Sequence, residues 1–196
     1  MNFRNFKTIS PISGSMSTSL NKYIEDVKNG TNKVLVKSIR KANKAKDLNQ
    51  MKMEMDKLPL FGKNYDLMST RFYFNWRDEH IIQIEILDSD CGPNSGMQMD
   101  RHTMIQHRNV LDNGYILWFY YTGPKNTYIA HNEAIDTLVQ YIEDETEIKI
   151  DSEKYKDSEY LFEIGYDPNI YTNIHAEAFN FKYWKKKYES RKQKVA

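Results

Sequence analysis

The sequence predicts an α+β fold, with a single domain built from one mixed β-sheet and packed helices. Residues 81–87 (IIQIEIL) and 115–121 (YILWFYY) are short apolar runs rich in β-branched or aromatic residues, which is typical of buried strands. Residues 131–145 place apolar side chains three and four positions apart, which is the period of an amphipathic helix. A chain of 196 residues has the size of one domain.

The first part of the chain is predicted to be mostly helical. Residues 1–18 are polar and serine-rich, and we expect an irregular arm there. A helix is predicted over 19–30, where an Asn-Gly step ends it. One long helix is predicted over 32–57. It is expected to end there because the residue before Pro59 is pushed out of the α-helical region.

Strand patterns dominate the middle of the sequence. Residues 71–77 (RFYFNWR) alternate aromatic with polar or charged side chains, as in a half-buried strand. The Asp-Glu pair at 78–79 is compatible with a hairpin turn into the strand at 81–87. Residues 93–101 are predicted to form a loop. The run at 115–121 is apolar without interruption, which favours a central strand buried on both faces.

The last third is predicted to contain a helix, a strand and a basic terminal helix. The helix at 131–145 is expected to bury Ala134, Leu138, Tyr141 and Ile142. A strand is predicted over 160–166 and a helix over 176–193. By domain, we expect the arm at 1–18, the α+β domain at 19–181 and a basic helix or tail at 182–196.

Composition predicts a cytoplasmic protein. Cys91 is the one cysteine of the chain, so a disulfide within the chain is excluded and a reducing compartment is favoured. The N-terminal residues lack the apolar core of a secretory signal. No stretch approaches the ~20 apolar residues that a membrane span needs, so no membrane partner is expected.

Positive charge is concentrated in two helical segments, although the formal net charge is only +1. The candidate nucleic-acid-binding residues in these segments are Lys37, Arg40, Lys41, Lys44, Trp184, Lys185, Lys186, Lys187 and Arg191. Lysine and arginine would neutralise phosphates, and the aromatic side chain would stack on bases of a single strand. The alternative interpretation is a solvated helix face and a frayed tail.

The stretch ILDSD (86–90) ends an apolar run with two aspartates one residue apart. If the strand continued, Asp88 and Asp90 would project from the same face and could together hold Mg²⁺ or Mn²⁺. The alternative is a strand that enters an ordinary turn. His102 and His107 lie nearby in sequence and could assist a metal site, but we expect them to be partly exposed polar residues.

Several stretches, in order, resemble the VirE N-terminal family, which occurs on bacterial mobile elements and phages and is related to archaeo-eukaryotic primases. They are IEDVKNGTNKVLVKSIRKANK, KLPLFG, IIQIEILDSD, HNEAIDTLVQYIEDETEIKID and DSEYLFEIGYDPNIYTNIHAEAF. Each is short, and YDPNIYTN is the most specific. Their shared order along residues 24–179 is the main basis of the resemblance.

The resemblance implies an RRM-type catalytic sheet and a metal-dependent nucleotidyl-transfer site. Asp88 and Asp90 match the two acidic ligands of the family's first motif, and Asp151 matches the acidic residue of a later one. All three would then act as catalytic metal ligands for Mg²⁺ or Mn²⁺.

The second motif of the family, Ser-x-Ser-Gly-x-Gly-x-Lys, falls on NVLDNGYILWF, and here the sequence departs from the pattern. Gly114 is kept, but Leu111 and Asp112 replace the serine and a glycine, and Ile116 replaces the lysine. The family's arginine before Tyr-Asp-Pro falls on Tyr160. Without these cations a triphosphate loses its neutralising partners.

The sequence therefore predicts a primase-like, nucleic-acid-associated protein of a phage or mobile element, with nucleotidyl transfer weakened or lost. The alternative is a non-enzymatic binding protein on the same fold, either a virion component or an inhibitor of a host complex. A plain α+β interaction domain without this kinship is the third interpretation.

Overall fold

The structure is a computed structural model that describes residues 15–17, 20–58, 60–62, 73–75, 81–90, 101–122, 128–146, 148–156 and 161–195. Within these residues the helices are α1 (Leu20–Asn29), α2 (Lys33–Lys44), α3 (Leu48–Met55), α4 (Tyr128–Thr146), α5 (Glu153–Lys156) and α6 (Phe181–Val195). The strands are β1 (Ser15–Ser17), β2 (Leu60–Gly62), β3 (Tyr73–Asn75), β4 (Ile81–Leu87), β5 (Thr103–Arg108), β6 (Gly114–Thr122), β7 (Leu161–Glu163), β8 (Tyr171–Thr172) and β9 (Phe179–Asn180).

The described strands form two sheets rather than the one mixed sheet predicted. The main sheet has the order β4-β6-β5-β8 and is antiparallel, with the short β9 pairing parallel to the end of β6. The smaller sheet has the order β1-β3-β2-β7, with two parallel pairings and one antiparallel pairing. The α+β class is confirmed, while an RRM-type core stays a prediction.

The main sheet and α4 form the largest core cluster, as the apolar patterns predicted. The whole of β4 pairs with β6, with Ile84 opposite Leu117. One face of this pair packs against the buried face of α4, which includes Ala134 and Leu138. β6 lies between β4 and β5, so the prediction of a central strand is confirmed.

The predicted hairpin between 71–77 and 81–87 is wrong. β3 has β1 on one edge and β2 on the other, so neither edge is available to β4. The turn residues at 78–79 lie outside the described residues, as do Cys91 and the predicted loop at 93–101 apart from residue 101. Of the strand predicted at 160–166, residues 161–163 form β7 and residues 164–166 are irregular, while residue 160 lies outside the described residues.

The predicted long helix at 32–57 is two helices. Lys46 has φ +58°, a left-handed conformation that cannot continue an α-helix. Asp47 then begins α3, and its side chain accepts a hydrogen bond from the Gln50 backbone N–H at 3.0 Å. Aspartate is a favoured N-cap, so the sequence did contain a signal for this break.

The helical hairpin α2–α3 has its own small core. Val36 and Ile39 of α2 pack with Leu58 and Val110, and all four are buried. This cluster is distinct from the two that cover the faces of the main sheet. None of the described helices is both long and apolar enough to cross a membrane.

Candidate nucleic-acid interface

The exposed face of α2 carries a row of four lysines: Lys33, Lys37, Lys41 and Lys44. At 3.6 residues per turn they fall within an arc of about 80°, and this arc lies opposite the buried face of the helix. From first to last the row spans about 16 Å of helix axis. We call this set the lysine row of α2.

Nothing on α2 itself neutralises the row. The helix contains four lysines and one arginine and has no aspartate or glutamate. Among the described residues Lys37, Lys41 and Lys44 form no ion pair, while the Lys33 ammonium lies 5.4 Å from the centre of the Tyr166 ring. The helix therefore presents a continuous strip of positive charge to solvent.

Arg40 is not part of this strip, contrary to the prediction. Its guanidinium donates to the backbone carbonyls of Val110, Asn109 and Tyr166 at 3.0, 3.1 and 3.1 Å. Its side chain is 19% exposed. Three carbonyl partners turn it inward, and this fixes α2 on the rest of the domain.

Two cations of the basic segment on α6 form ion pairs with carboxylates of α4. Lys185 donates to the Glu133 carboxylate at 2.8 Å, and this hydrogen bond raises the pKa of Lys185. Arg191 donates to Asp144 at 2.9 Å. Two of the cations predicted to bind nucleic acid are therefore bound within the protein.

Trp184 is buried, which removes it from the predicted stacking surface. Its ring lies parallel to that of Phe179, with an interplanar angle of 4°, and its centre is 4.6 Å from that of Tyr141. The Lys187 ammonium sits over the ring at 4.1 Å. Trp184 thus anchors α6 to the main core, and only Lys186 of the predicted α6 set is exposed without a described partner.

The two aspartates after β4 do not continue the strand. Residues 88–90 form a single 3-10 turn, so the same-face geometry expected of a strand does not apply. Both carboxylate oxygens of Asp88 accept hydrogen bonds from Arg108, at 2.8 and 2.7 Å. The Arg108 guanidinium also stacks over the Tyr115 ring at 4.1 Å. The side chain of Asp90 is outside the described part of the chain.

Asp151 has a local structural role. Its carboxylate accepts the Glu153 backbone N–H at 3.1 Å, which caps the short helix α5. Across the described ranges, no group of three or more histidine, cysteine, aspartate or glutamate side chains could hold a metal ion. Binding of Mg²⁺ or Mn²⁺ by these carboxylates stays a prediction.

The segment on which the second motif of the resembled family falls forms the turn between β5 and β6 and the start of β6. At Gly114 an added Cβ would lie 2.4 Å from the Ile86 carbonyl oxygen. Only glycine therefore fits at this position, where β6 begins to pair with β4. Ile116 is buried on β6. Asp112 has φ +60° and lies within ion-pair distance of Arg40 and Arg108.

The YDPNIYTN stretch also has a structural explanation. Asp167 is buried, and its carboxylate accepts the backbone N–H groups of Arg108 and Asn169, both at 2.8 Å. Its own N–H donates to the Val27 carbonyl at 3.0 Å. This aspartate therefore joins the end of α1 to the end of β5.

The structure also corrects the two histidines, which are buried rather than partly exposed. His107 Nε2 lies 2.8 Å from the Tyr23 hydroxyl, and its Nδ1 lies 2.9 Å from the Arg108 carbonyl oxygen. His102 Nδ1 lies 3.0 Å from the Glu177 carbonyl oxygen. Burial lowers the pKa of His107.

The sequence counted Lys33 in the basic segment at 32–57, but the candidate nucleic-acid-binding set omitted it, and Arg108 was missed as the partner of Asp88. The four-residue step from Lys33 to Lys37 was a usable signal. Arg108 had none, because it lies twenty positions from Asp88 and meets it only through sheet pairing.

Comparisons with known proteins identify no relative: no protein-family model, curated protein or solved structure matches the chain significantly.

Proposed function

We propose that the protein is a nucleic-acid-associated protein that binds the phosphate backbone through the lysine row of α2. The primase-like kinship with proteins of phages and mobile elements, proposed from the ordered sequence stretches, is part of this proposal. The observation that carries it is a helix face with four exposed lysines and no acidic residue on the same helix. Phosphate neutralisation by such cations supplies most of the free energy of non-specific nucleic-acid binding.

We further propose that nucleotidyl transfer is weakened or lost. In support, both oxygens of Asp88 are bound by Arg108, and Asp151 caps α5. Ile116, which replaces the motif's lysine, is buried in the sheet and offers no donor to a triphosphate. A metal at Asp88 would have to share this carboxylate with the positive charge of Arg108.

The direct test compares two triple variants with equal charge. Lys37→Ala/Lys41→Ala/Lys44→Ala removes three members of the lysine row, and Lys182→Ala/Lys186→Ala/Lys187→Ala removes three lysines from α6. Each changes the formal net charge from +1 to −2, since 1 − 3 = −2. We expect fluorescence anisotropy with a labelled single strand to detect wild-type binding at 50 mM salt.

The α2 variant should lose most of the binding, and the α6 variant should retain it. In a plot of the logarithm of affinity against the logarithm of salt concentration, four phosphate contacts to a single-stranded nucleic acid give a slope of about −2.8, and one contact gives about −0.7. From 50 to 200 mM salt, wild-type affinity should therefore fall about 50-fold. Equal losses in the two variants would contradict a binding site on α2.

A second candidate function is the capture of a protein partner, as a virion component or host-complex inhibitor would require. It is favoured by exposed apolar side chains on the α2–α3 hairpin: Val34, Leu48 and Met53, at 84%, 66% and 65% exposure. If no single-stranded nucleic acid binds at 50 mM salt, this candidate becomes the better account. Leu48→Ser/Met53→Ser should then abolish association with the partner, and the α2 lysine variant should keep it.

Mn²⁺ tests whether the predicted metal site exists. Binding with a dissociation constant near 1 mM would stabilise the fold by about 1.4 kcal/mol at 10 mM Mn²⁺. Because Arg108 holds Asp88, we expect no such stabilisation in thermal unfolding. A stabilisation that Asp88→Asn removes would instead establish Asp88 as a ligand.

A further inference from the structure

The chemistry of the α2 surface defines what part of a nucleic acid it can recognise. The exposed arc contains lysines, whose ammonium groups are compact point charges without the planar fork of arginine. The one arginine of the helix donates to three backbone carbonyls and faces the domain. The arc therefore offers compact charges, without the rigid planar fork that arginine would present to a base edge.

Among the residues that the structure describes, the row has no exposed aromatic ring on its own helix to stack on bases. α2 contains no aromatic residue. Tyr166, the aromatic side chain next to the row, is partly buried, and Lys33 lies over its ring. Trp184, predicted to stack on bases, is 8% exposed and packed between Phe179 and Tyr188. The described lysine row thus lies on α2, whereas the described ring stack around Trp184 belongs to α6 and the main core.

Resting on the proposed function, we infer that the lysine row recognises the phosphodiester chain itself and makes no use of the bases. Its ligand class is a linear polyphosphate ester of any sequence, with or without bases. Binding then depends on the density of negative charge along about 16 Å of chain. A stacked base would add about 5- to 150-fold in affinity, so its absence is measurable.

The experiment is a competition against a labelled 20-residue oligothymidine at 50 mM salt. The competitors are unlabelled oligothymidine and an oligonucleotide of equal length whose sugars carry no bases. We expect the two to compete within about threefold of each other, with the same salt slope. The Lys37→Ala/Lys41→Ala/Lys44→Ala variant should weaken binding of both strands by the same factor.

The failures of this inference and of the proposed function are distinguishable. If oligothymidine binds through α2 and the abasic strand competes more than tenfold more weakly, the bases are recognised and the inference is wrong. If oligothymidine itself does not bind, the proposed function fails and the inference fails with it. If the abasic strand binds equally but the α2 variant loses neither strand, the site lies elsewhere and both are wrong.

Discussion

In and near α2, the arginine side chains face the domain and the lysine side chains face solvent, and the difference follows from their chemistry. Arg40 uses its several N–H groups to hold three carbonyl oxygens, and Arg108 holds the carboxylate of Asp88. A lysine ammonium has no fork of comparable reach, and Lys37 and Lys41 point to solvent. A count of positive residues in the sequence could not separate these roles.

The anchoring role of Arg40 can be measured without changing the net charge. Arg40→Lys keeps the charge but leaves some of the three carbonyls without a donor. A buried polar group without its partner costs about 1–3 kcal/mol, so we expect a comparable fall in the free energy of unfolding. Lys41→Ala on the same helix is the control, and it should stay within about 0.5 kcal/mol of wild type. If chemical denaturation showed the same fall in the free energy of unfolding for Arg40→Lys and Lys41→Ala, the anchoring role of Arg40 would be contradicted.

His107 should make stability depend on pH. Burial lowers its pKa in the folded state, so the unfolded chain takes up the proton first as the pH falls. The contribution is complete above the unfolded pKa of about 6.5 and is lost below it, at up to about 1.4 kcal/mol per pH unit.

The measurement is the urea midpoint between pH 7 and pH 5. His107→Gln should flatten this dependence, while His175→Gln, which alters an exposed histidine, should leave it unchanged. An unchanged slope in His107→Gln would show that other groups set the pH dependence.

At the scale of single elements, the closest approach of β4 and β6 depends on one glycine. In Gly114→Ala the new Cβ would meet the Ile86 carbonyl oxygen at 2.4 Å and the Leu87 Cα at 2.9 Å. Both are backbone atoms of the paired strand and cannot move aside alone. We expect a loss of about 1–3 kcal/mol or more in the free energy of unfolding.

Gly165→Ala is the matched control for this prediction. Its Cβ would lie no closer than 3.5 Å to another atom, which is an ordinary contact. Thermal unfolding should therefore show a small effect for Gly165→Ala and a large one for Gly114→Ala. A similar melting temperature for both would mean that β6 can shift without cost.

Elements with a strong local pattern were predictable, and elements defined by distant partners were not. The isoleucines of β4, the apolar run of β6 and the spacing in α4 each identify their own structure. The neighbours of β3 depend on chain segments that lie far away in sequence. Local alternation indicates a strand without naming its partner.

At the scale of the whole molecule, the candidate site was also predictable only where it depends on local sequence. The lysine spacing in α2 could be read directly, since it needs only the helical period. The ion pairs of α6 could not, because Glu133 and Asp144 lie about fifty positions away and meet it through packing. Packing thus gives Lys185 and Arg191 carboxylate partners, whereas the exposed lysines of α2 have no described ion pair.

The separate core beneath α2 and α3 has a consequence for hydrogen exchange. Val36, Ile39, Leu58 and Val110 form a cluster much smaller than the one under α4, so the hairpin can open without disrupting β6. Amide protons of α2 should therefore exchange at a lower free energy than those of β6. A polyanion that binds only the closed hairpin would slow exchange throughout α2 and α3 and leave the amides of β6 unaffected. Equal exchange free energies for α2 and β6 would mean that the hairpin opens only when the whole domain unfolds.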